Sequence, residues 1–258
     1  MTTGTYVYAF VAAPRRPVLT RVPPGLRGMG RPRLLDIRAG RFLVVADAPL
    51  DKYGEAAINR RLADLDWVSR AAVSHEAVVE FFIGATAVLP MKLFTIFTSD
   101  ERALEHIRGE ASRVDALVRR VAKHHEWGVR VVLDRSRATT ARARPPAATR
   151  RSAALGKSYL AQKKAQRDSA TELARHARET VADVFDRLAA RATLAKRRGA
   201  SELPSEGGPL LLDAALLVPV KRAAGFRNFA AREARRVARD GYQLTLSGPW
   251  PPYSFIQD

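Results

Sequence analysis

The chain contains no cysteine, which removes disulfides, thiolate nucleophiles and cysteine-ligated zinc or iron–sulfur centres from consideration. It also lacks a long apolar run. Its two longest apolar stretches are broken by Glu80 and Asp213, short of the roughly 18 uninterrupted residues that a membrane span needs. No targeting segment is visible: the apolar start from Tyr6 to Ala13 has no basic residue before it and runs into Pro14-Arg15-Arg16-Pro17, the reverse of a signal peptide's polarity. A cytoplasmic soluble protein is the expectation. Acidic residues are few. Against 44 Lys and Arg stand 26 Asp and Glu, a formal net charge of +18 that either favours anionic partners or discourages self-association.

Catalytic patterns are missing as well. Gly156-Lys157-Ser158 resembles the end of a phosphate-binding loop, but the first glycine of that pattern would have to stand at Arg151. His75-Glu76 lacks the second histidine of a zinc-protease motif, which would fall at Val79. Gly25, Gly28 and Gly30 precede Arg33 where a dinucleotide fingerprint needs its last glycine, and they open no helix. No Gly-x-Ser-x-Gly occurs. His124-His125-Glu126 clusters metal-type side chains, yet adjacent side chains diverge and no third histidine lies near, so a solvated helix end is expected. The expectation is a protein without enzymatic activity, cofactor or metal.

What the sequence does have is length and an uneven charge. With 258 residues, 47% of them hydrophobic, the chain can form one large domain or two modest ones. Residues 135–200 hold 17 Lys and Arg against 5 Asp and Glu, two thirds of the net excess in a quarter of the chain. This quarter opens with an Arg-, Thr-, Ala- and Pro-rich stretch from Arg135 to Arg151 that has no large apolar residue, so a mobile loop is expected over 135–156. From 157 to 198 neither Pro nor Gly interrupts, and good helix formers dominate. Ala170, Ala174, Ala177, Val181, Val184 and Leu188 alternate spacings of four and three, one seam of a long amphipathic helix whose other face is basic. Gly199 is its expected stop, and 201–208 reads as a second loop.

Two stretches share a strand–helix–strand arrangement. The first is Leu93–Phe97, a helix capped by Ser99 with apolar Leu104, Ile107, Val114, Leu117 and Val121, then Trp127–Leu133. The second is Ala214–Val218, a helical run from Val220 to Arg239 ended by Gly241, then Tyr242–Leu246. Two βαβ halves in tandem predict a ferredoxin-like sandwich with the long basic helix inserted between them. Ahead of it, a strand at Thr5–Val11, a hairpin turning at Ala39-Gly40, and helices from Lys52 to Ala63 and Asp66 to Gly84 read as a separate unit. The expected class is α+β with an N-terminal domain over 1–88 and a modified ferredoxin-like domain over 89–258.

The C-terminal tail over 248–258 is the most unusual stretch. Ser247 to Phe255 packs three prolines and three aromatics into nine residues, so the segment is expected to leave the sheet in extended form. Its rings either fold back over the protein's own sheet or anchor a partner.

This closing Leu-Ser-Gly-Pro-Trp-Pro-Pro-Tyr-Ser-Phe at 246–255, with the opening Thr5-Tyr-Val-Tyr-Ala-Phe, resembles the gas vesicle proteins of the L/F type (GvpL/GvpF). His75-Glu76-Ala-Val-Val, Val88 to Phe97, Glu126-Trp-Gly-Val-Arg-Val and Gly156-Lys-Ser-Tyr-Leu160 match in the family's order and extend the resemblance over almost the whole chain. One departure stands out: the family usually has Phe-Gly before the threonine that is Thr95 here, where this chain has Leu93-Phe94.

The resemblance implies a non-enzymatic protein that assists assembly of a hollow, buoyant protein shell. It would bind the hydrophobic major shell protein and other accessory proteins during nucleation or growth, either as a transient factor or as a minor shell component. It also implies two domains, one of them a modified ferredoxin-like unit. The partner-binding candidates are Trp250, Pro251, Pro252, Tyr253 and Phe255 in the tail, Phe94 and Phe97 in the strand before Ser99, and Arg175, Arg178 and Arg187 on the basic helix. The alternative is a basic nucleic-acid-binding or regulatory protein with a ferredoxin-like domain. It is disfavoured because the paired aromatics of RNA-recognition sheets are absent and Trp127-Gly-Val-Arg-Val-Val offers one ring.

Overall fold

The computed structural model describes residues 2–133, 155–199 and 208–256. The loop expected over 135–156 therefore lies outside the described residues except for its last two, which already belong to a helix, and the loop at 201–208 lies outside them except for Gly208. The architecture is α+β in two compact units, Met1–Glu126 together with Pro249–Asp258, and Trp127–Gly248.

The first unit is built on β1 (Thr3–Ala12), buried from Gly4 onward. β2 (Arg33–Arg38) and β3 (Arg41–Pro49) form the expected hairpin, turning at Gly40 with φ +71°, and β3 pairs antiparallel along β1 with a bulge between Val7 and Ala9. The other side of β1 carries β4 (Ala87–Pro90) and β5 (Ile96–Phe97), giving the order β2-β3-β1-β4 with β5 also on β1. Near-continuous apolar character in Tyr6–Ala12 fits a central strand covered on both faces.

Helices follow their local signals, with breaks that periodicity does not show. The run expected from Lys52 is split at Gly54 into α1 (Leu50–Tyr53) and α2 (Glu55–Arg61). α3 (Leu65–Phe81) starts where the Asp64 carboxylate accepts from the Trp67 N–H at 2.9 Å. The helix expected after Ser99 is two, α4 (Asp100–Gly109) and α5 (Ala111–Val121), parted after Gly109 at Glu110, whose φ and ψ are −92° and 13°. Ser99 caps the first of them, its hydroxyl accepting from the Arg102 N–H at 3.3 Å.

The second unit runs β6 (His124–Leu133), α6 (Leu155–Ala189), β7 (Leu194–Arg197), β8 (Leu210–Pro219), a single 3-10 turn, α7 (Ala223–Ala238) and β9 (Tyr242–Trp250). Its sheet order is β7-β8-β6-β9, compatible with a ferredoxin-like split βαβ. Trp127, Val129, Val131 and Leu133 alternate into one core with Leu212, Ala214, Leu216 and Val218. Against them pack Ala177, Val181, Val184 and Leu188 of α6 and Phe226, Phe229 and Val237 of α7. The seam read from the sequence is thus buried from Ala177 onward, Ala174 is exposed, and the side chain of Ala170 lies outside the described residues.

Three expectations are corrected here. The division falls at 126/127 rather than 88/89, because the residues at the expected boundary are β4, which hydrogen-bonds to β1, and α4 and α5 belong with that sheet's unit. The long helix ends at Ala189 rather than near Arg198 and occupies the first crossover of the second sheet, between β6 and β7, the position the sequence reading gave to the helix after Ser99. Leu194–Arg197 has helix-forming composition, but pairing with β8 (Leu194↔Leu217 to Arg197↔Ala214) overrides that weak preference. Finally, the tail does not leave the sheet at Gly248: strand geometry persists to Trp250, because β9 is an end strand where the missing N–H of Pro249 costs no ladder bond.

Candidate functional site

The tail closes the first unit. Pro251 and Pro252 are buried, and Tyr253–Phe255 forms a 3-10 turn in which the Tyr253 N–H donates to the Pro251 carbonyl at 2.8 Å. Glu126, 4% exposed, receives both the backbone N–H and the hydroxyl of Ser254 at 2.7 Å each. Bonds to a carboxylate contribute about 1.5–3 kcal/mol apiece, and here they compensate a buried charge. Arg120 Nη1 donates to the Phe255 carbonyl at 3.3 Å, the Phe255 ring is buried, and Tyr253 packs on the core around Tyr6 and Trp67. Of the three tail rings, Trp250 alone is exposed, at 39%. The structure therefore divides the five tail candidates: Pro251, Pro252 and Phe255 are buried in the protein's own interior, Tyr253 is half-buried against its core, and Trp250 is exposed.

Phe94 is drawn inward too. Its ring stacks on Trp67 at 5.0 Å with planes 8° apart, and the Arg61 guanidinium lies 4.3 Å from the same indole. Its backbone is left-handed, φ +66°, the conformation glycine adopts without strain and the one that the departure Leu93-Phe94 bears on. Its N–H points to the Tyr6 hydroxyl at 3.5 Å. Phe97 is half-buried on β5, with its ring 5.2 Å from that of His106. Phe94 and Phe97 are not displayed on a common surface with Trp250 by any contact among the described residues.

The basic-helix candidates are mostly neutralised. Arg175 is bound by Glu172 and by Glu179, the latter at 2.7 Å, and Arg187 lies 2.7 Å from Glu233. Glu233 is 3% exposed; burial pushes its carboxyl up, but Arg187 and Arg236 together overcome this and hold it below the usual carboxylate range. Arg178 donates to the Ala174 carbonyl at 3.1 Å and is exposed. Phe229, beneath this helix pair, is faced by the Arg191 guanidinium at 3.7 Å.

His124 and His125 sit in β6, not at a helix end, and their ring nitrogens pair with the carbonyls of Ala122 at 2.7 Å and Ile83 at 3.2 Å. No group of three metal-type side chains occurs among the described residues. Trp127, the ring a nucleic-acid platform would use, is 3% exposed and lies in the core. No helix among the described residues is long and apolar enough to cross a membrane.

Sequence reasoning missed two residues that shape this unit. Glu126 stands in the histidine cluster and in the stretch Glu126-Trp-Gly-Val-Arg-Val, and neither carries a local signal that names Ser254, 128 positions away, as its partner. Asp100, the first residue of α4, is the other. Arg33 clamps it with two bonds at 2.8 and 2.9 Å and Thr5 donates at 2.7 Å, which joins α4 to β1 and β2 and holds the Asp100 carboxyl below its usual range.

Comparison with known proteins agrees with the geometry. The model of the family described as Gas vesicle synthesis protein GvpL/GvpF matches residues 4–257. Gas vesicle protein L of Streptomyces sp. (strain CB03234) is 30% identical over 256 residues, 97% of this chain and 91% of that protein. The crystal structure of the gas vesicle protein GvpF from Anabaena sp. PCC7120 aligns with a TM-score of 0.69 at 16% identity, covering 99% of this chain and 97% of that one. GvpF from Microcystis aeruginosa aligns at 0.67 and 18%, covering 99% of both. At these identities the structural likeness speaks to the fold.

Proposed function

The chain belongs to the gas vesicle synthesis protein GvpL/GvpF family, which supports a role in gas vesicle assembly, and on that premise we propose that it acts by binding the hydrophobic major shell protein and other accessory proteins during nucleation or growth. A shell whose two faces differ in wetting is made of subunits that expose apolar surface before they assemble, and such surface needs a partner that covers it. The protein works through surfaces rather than chemistry, in association with the vesicle, without a cofactor or small-molecule substrate.

The observation that carries this reading is Trp250. It is an exposed indole beside a segment held rigid by Glu126, Arg120 and two buried prolines, so little conformational entropy is lost when it docks against an apolar surface. Trp250→Ala should abolish co-purification of the tagged full chain with major shell protein while the chain stays folded, with a stability loss of about 1–3 kcal/mol from the covered part of the indole. Tyr253→Ala should lower the melting temperature. Shell-protein capture by Trp250→Ala equal to the parent's would overturn the assignment. The helix cations contribute little by comparison: reversing Arg178 to Glu should leave capture unchanged from low to high salt.

A further inference from the structure

The turn after α6 and the neighbouring face of α7 form a basic cluster within the second unit. Phe229 of α7 is 7% exposed, and three guanidiniums gather about its ring, Arg191 at 3.7 Å from the centroid, Arg232 at 5.6 Å and Arg187 at 6.0 Å. Two carboxylates stand among them, and both are taken. Glu233 holds Arg187 and Arg236 at 2.7 and 2.8 Å, and Asp183 holds Arg236 at 2.6 Å. Arg191 and Arg232 are exposed and form no ion pair among the described residues.

The wider sequence does not offset them. α7 carries Arg227, Arg232, Arg235 and Arg236 against Glu233 alone, and residues 190–199 carry four cations and no carboxylate. The cluster is therefore positive after its own acids are counted, and it favours an anionic partner. The ring adds preorganisation. Arg191 lies in contact with Phe229, so part of its rotamer freedom is lost on folding rather than on binding, and its N–H edge remains able to make the two parallel bonds that a carboxylate accepts.

We infer that Arg191 and Arg232, presented beside Phe229, dock an acidic segment of a partner protein, neighbouring carboxylates of which pair with the two guanidiniums. A nucleic acid fits less well. Its phosphates form a continuous row of charge that needs an extended run of free cations, whereas Glu233 and Asp183 interrupt this cluster, and the buried Phe229 ring offers no platform for a base. The site deepens the accessory-protein half of the proposed function and rests on that reading for the partner's part in assembly, but it does not involve Trp250.

The test titrates the full chain into acetyl-Gly-Glu-Glu-Gly-Glu-Glu-Gly-amide carrying a neutral fluorophore and reads anisotropy in about 0.15 M salt, where distant charges are screened. The peptide should bind saturably, and its counterpart with Gln for Glu should not. Arg191→Gln with Arg232→Gln should weaken binding about tenfold, the scale of two exposed charge pairs, with the fold intact by circular dichroism. Arg21→Gln with Arg60→Gln removes the same charge from exposed positions of the first unit and should leave the affinity within about twofold of the parent's. Arg191→Lys with Arg232→Lys keeps the charge, loses the planar forks and should weaken binding about threefold. The inference is overturned by a parent chain that does not bind saturably, by equal losses in the two Gln pairs, or by parent-like affinity in the Lys pair. An oligodeoxythymidylate that binds more tightly than the peptide and loses affinity with the same two arginines overturns it as well, in favour of a nucleic-acid surface. Because the peptide is synthetic, these failures refute the site without touching shell-protein capture, and loss of capture leaves the site standing.

Discussion

Phe94 offers a test in which the usual ranking of two substitutions reverses. Replacing it with Ala or with Gly removes the same contact, the ring stacked 5.0 Å over Trp67. The stack is worth about 0.5–1.5 kcal/mol beyond burial, and burying part of a Phe side chain adds roughly 1–2 kcal/mol, so both variants lose stability. They differ in the backbone. At φ +66° an L-residue with a Cβ carries about 1–2 kcal/mol of strain, which Ala keeps and Gly relieves. Against this, Gly gives the unfolded chain more freedom, a cost of about 0.5–1 kcal/mol. The difference leaves Phe94→Gly more stable than Phe94→Ala by about 0.5–1 kcal/mol, with Phe94→Ala below the parent by about 1.5–3.5 kcal/mol and Phe94→Gly by about 1–2.5 kcal/mol. Urea unfolding of the three proteins, with the transition of the first unit identified by amide exchange in β1, measures both numbers. An Ala variant as stable as the Gly variant would show that the left-handed backbone at this position carries no cost and would refute the reasoning.

Other consequences concern buried charge and the tail. His75 has a folded-state pKa of about 4 against an ordinary 6.5, so its contribution is intact above pH 6.5 and is lost as pH falls between those values. The loss approaches about 3 kcal/mol and should appear in a pH series of urea midpoints, with the His75 ring remaining neutral by NMR down to pH 5. Glu233→Gln leaves Arg187 and Arg236 without their shared carboxylate and should lower the stability of the second unit by about 2 kcal/mol by urea titration, a loss restrained by the partial exposure of both arginines. Glu126→Ala should speed amide exchange at Ser254 more than tenfold, since its N–H would lose its carboxylate acceptor.

Much of the architecture is legible from local rules. Ser99 and Asp64 cap helices as their types dictate, Gly40 turns a hairpin, and the spacing from Ala177 to Leu188 defines the buried seam of the long helix. What was misread depends on partners far away in sequence. Ala87–Pro90 is four residues, too short for its period to register, and becomes a strand because β1 offers it a ladder. Leu194–Arg197 carries helix-forming side chains and becomes a strand on β8. At the site, composition picked out the tail aromatics as a group, yet it could not separate Trp250 from Tyr253 and Phe255. That distinction rests on Glu126, 128 positions from Ser254, and on a core whose members come from β1, α3 and the segment around Phe94.

The first unit takes its closing residues from the far end of the chain, with the whole of 127–248 encoded in between. During synthesis its sheet, helices and hydrophobic interior can form long before Tyr253, Ser254 and Phe255 emerge from the ribosome. Until then Glu126 is a charge without its Ser254 donors, and the core around Tyr6 and Trp67 lacks Tyr253. The rigid base of Trp250 therefore forms only once residues 249–256 have followed the second unit. A chain interrupted anywhere within 127–248 therefore lacks the residues that seat Trp250.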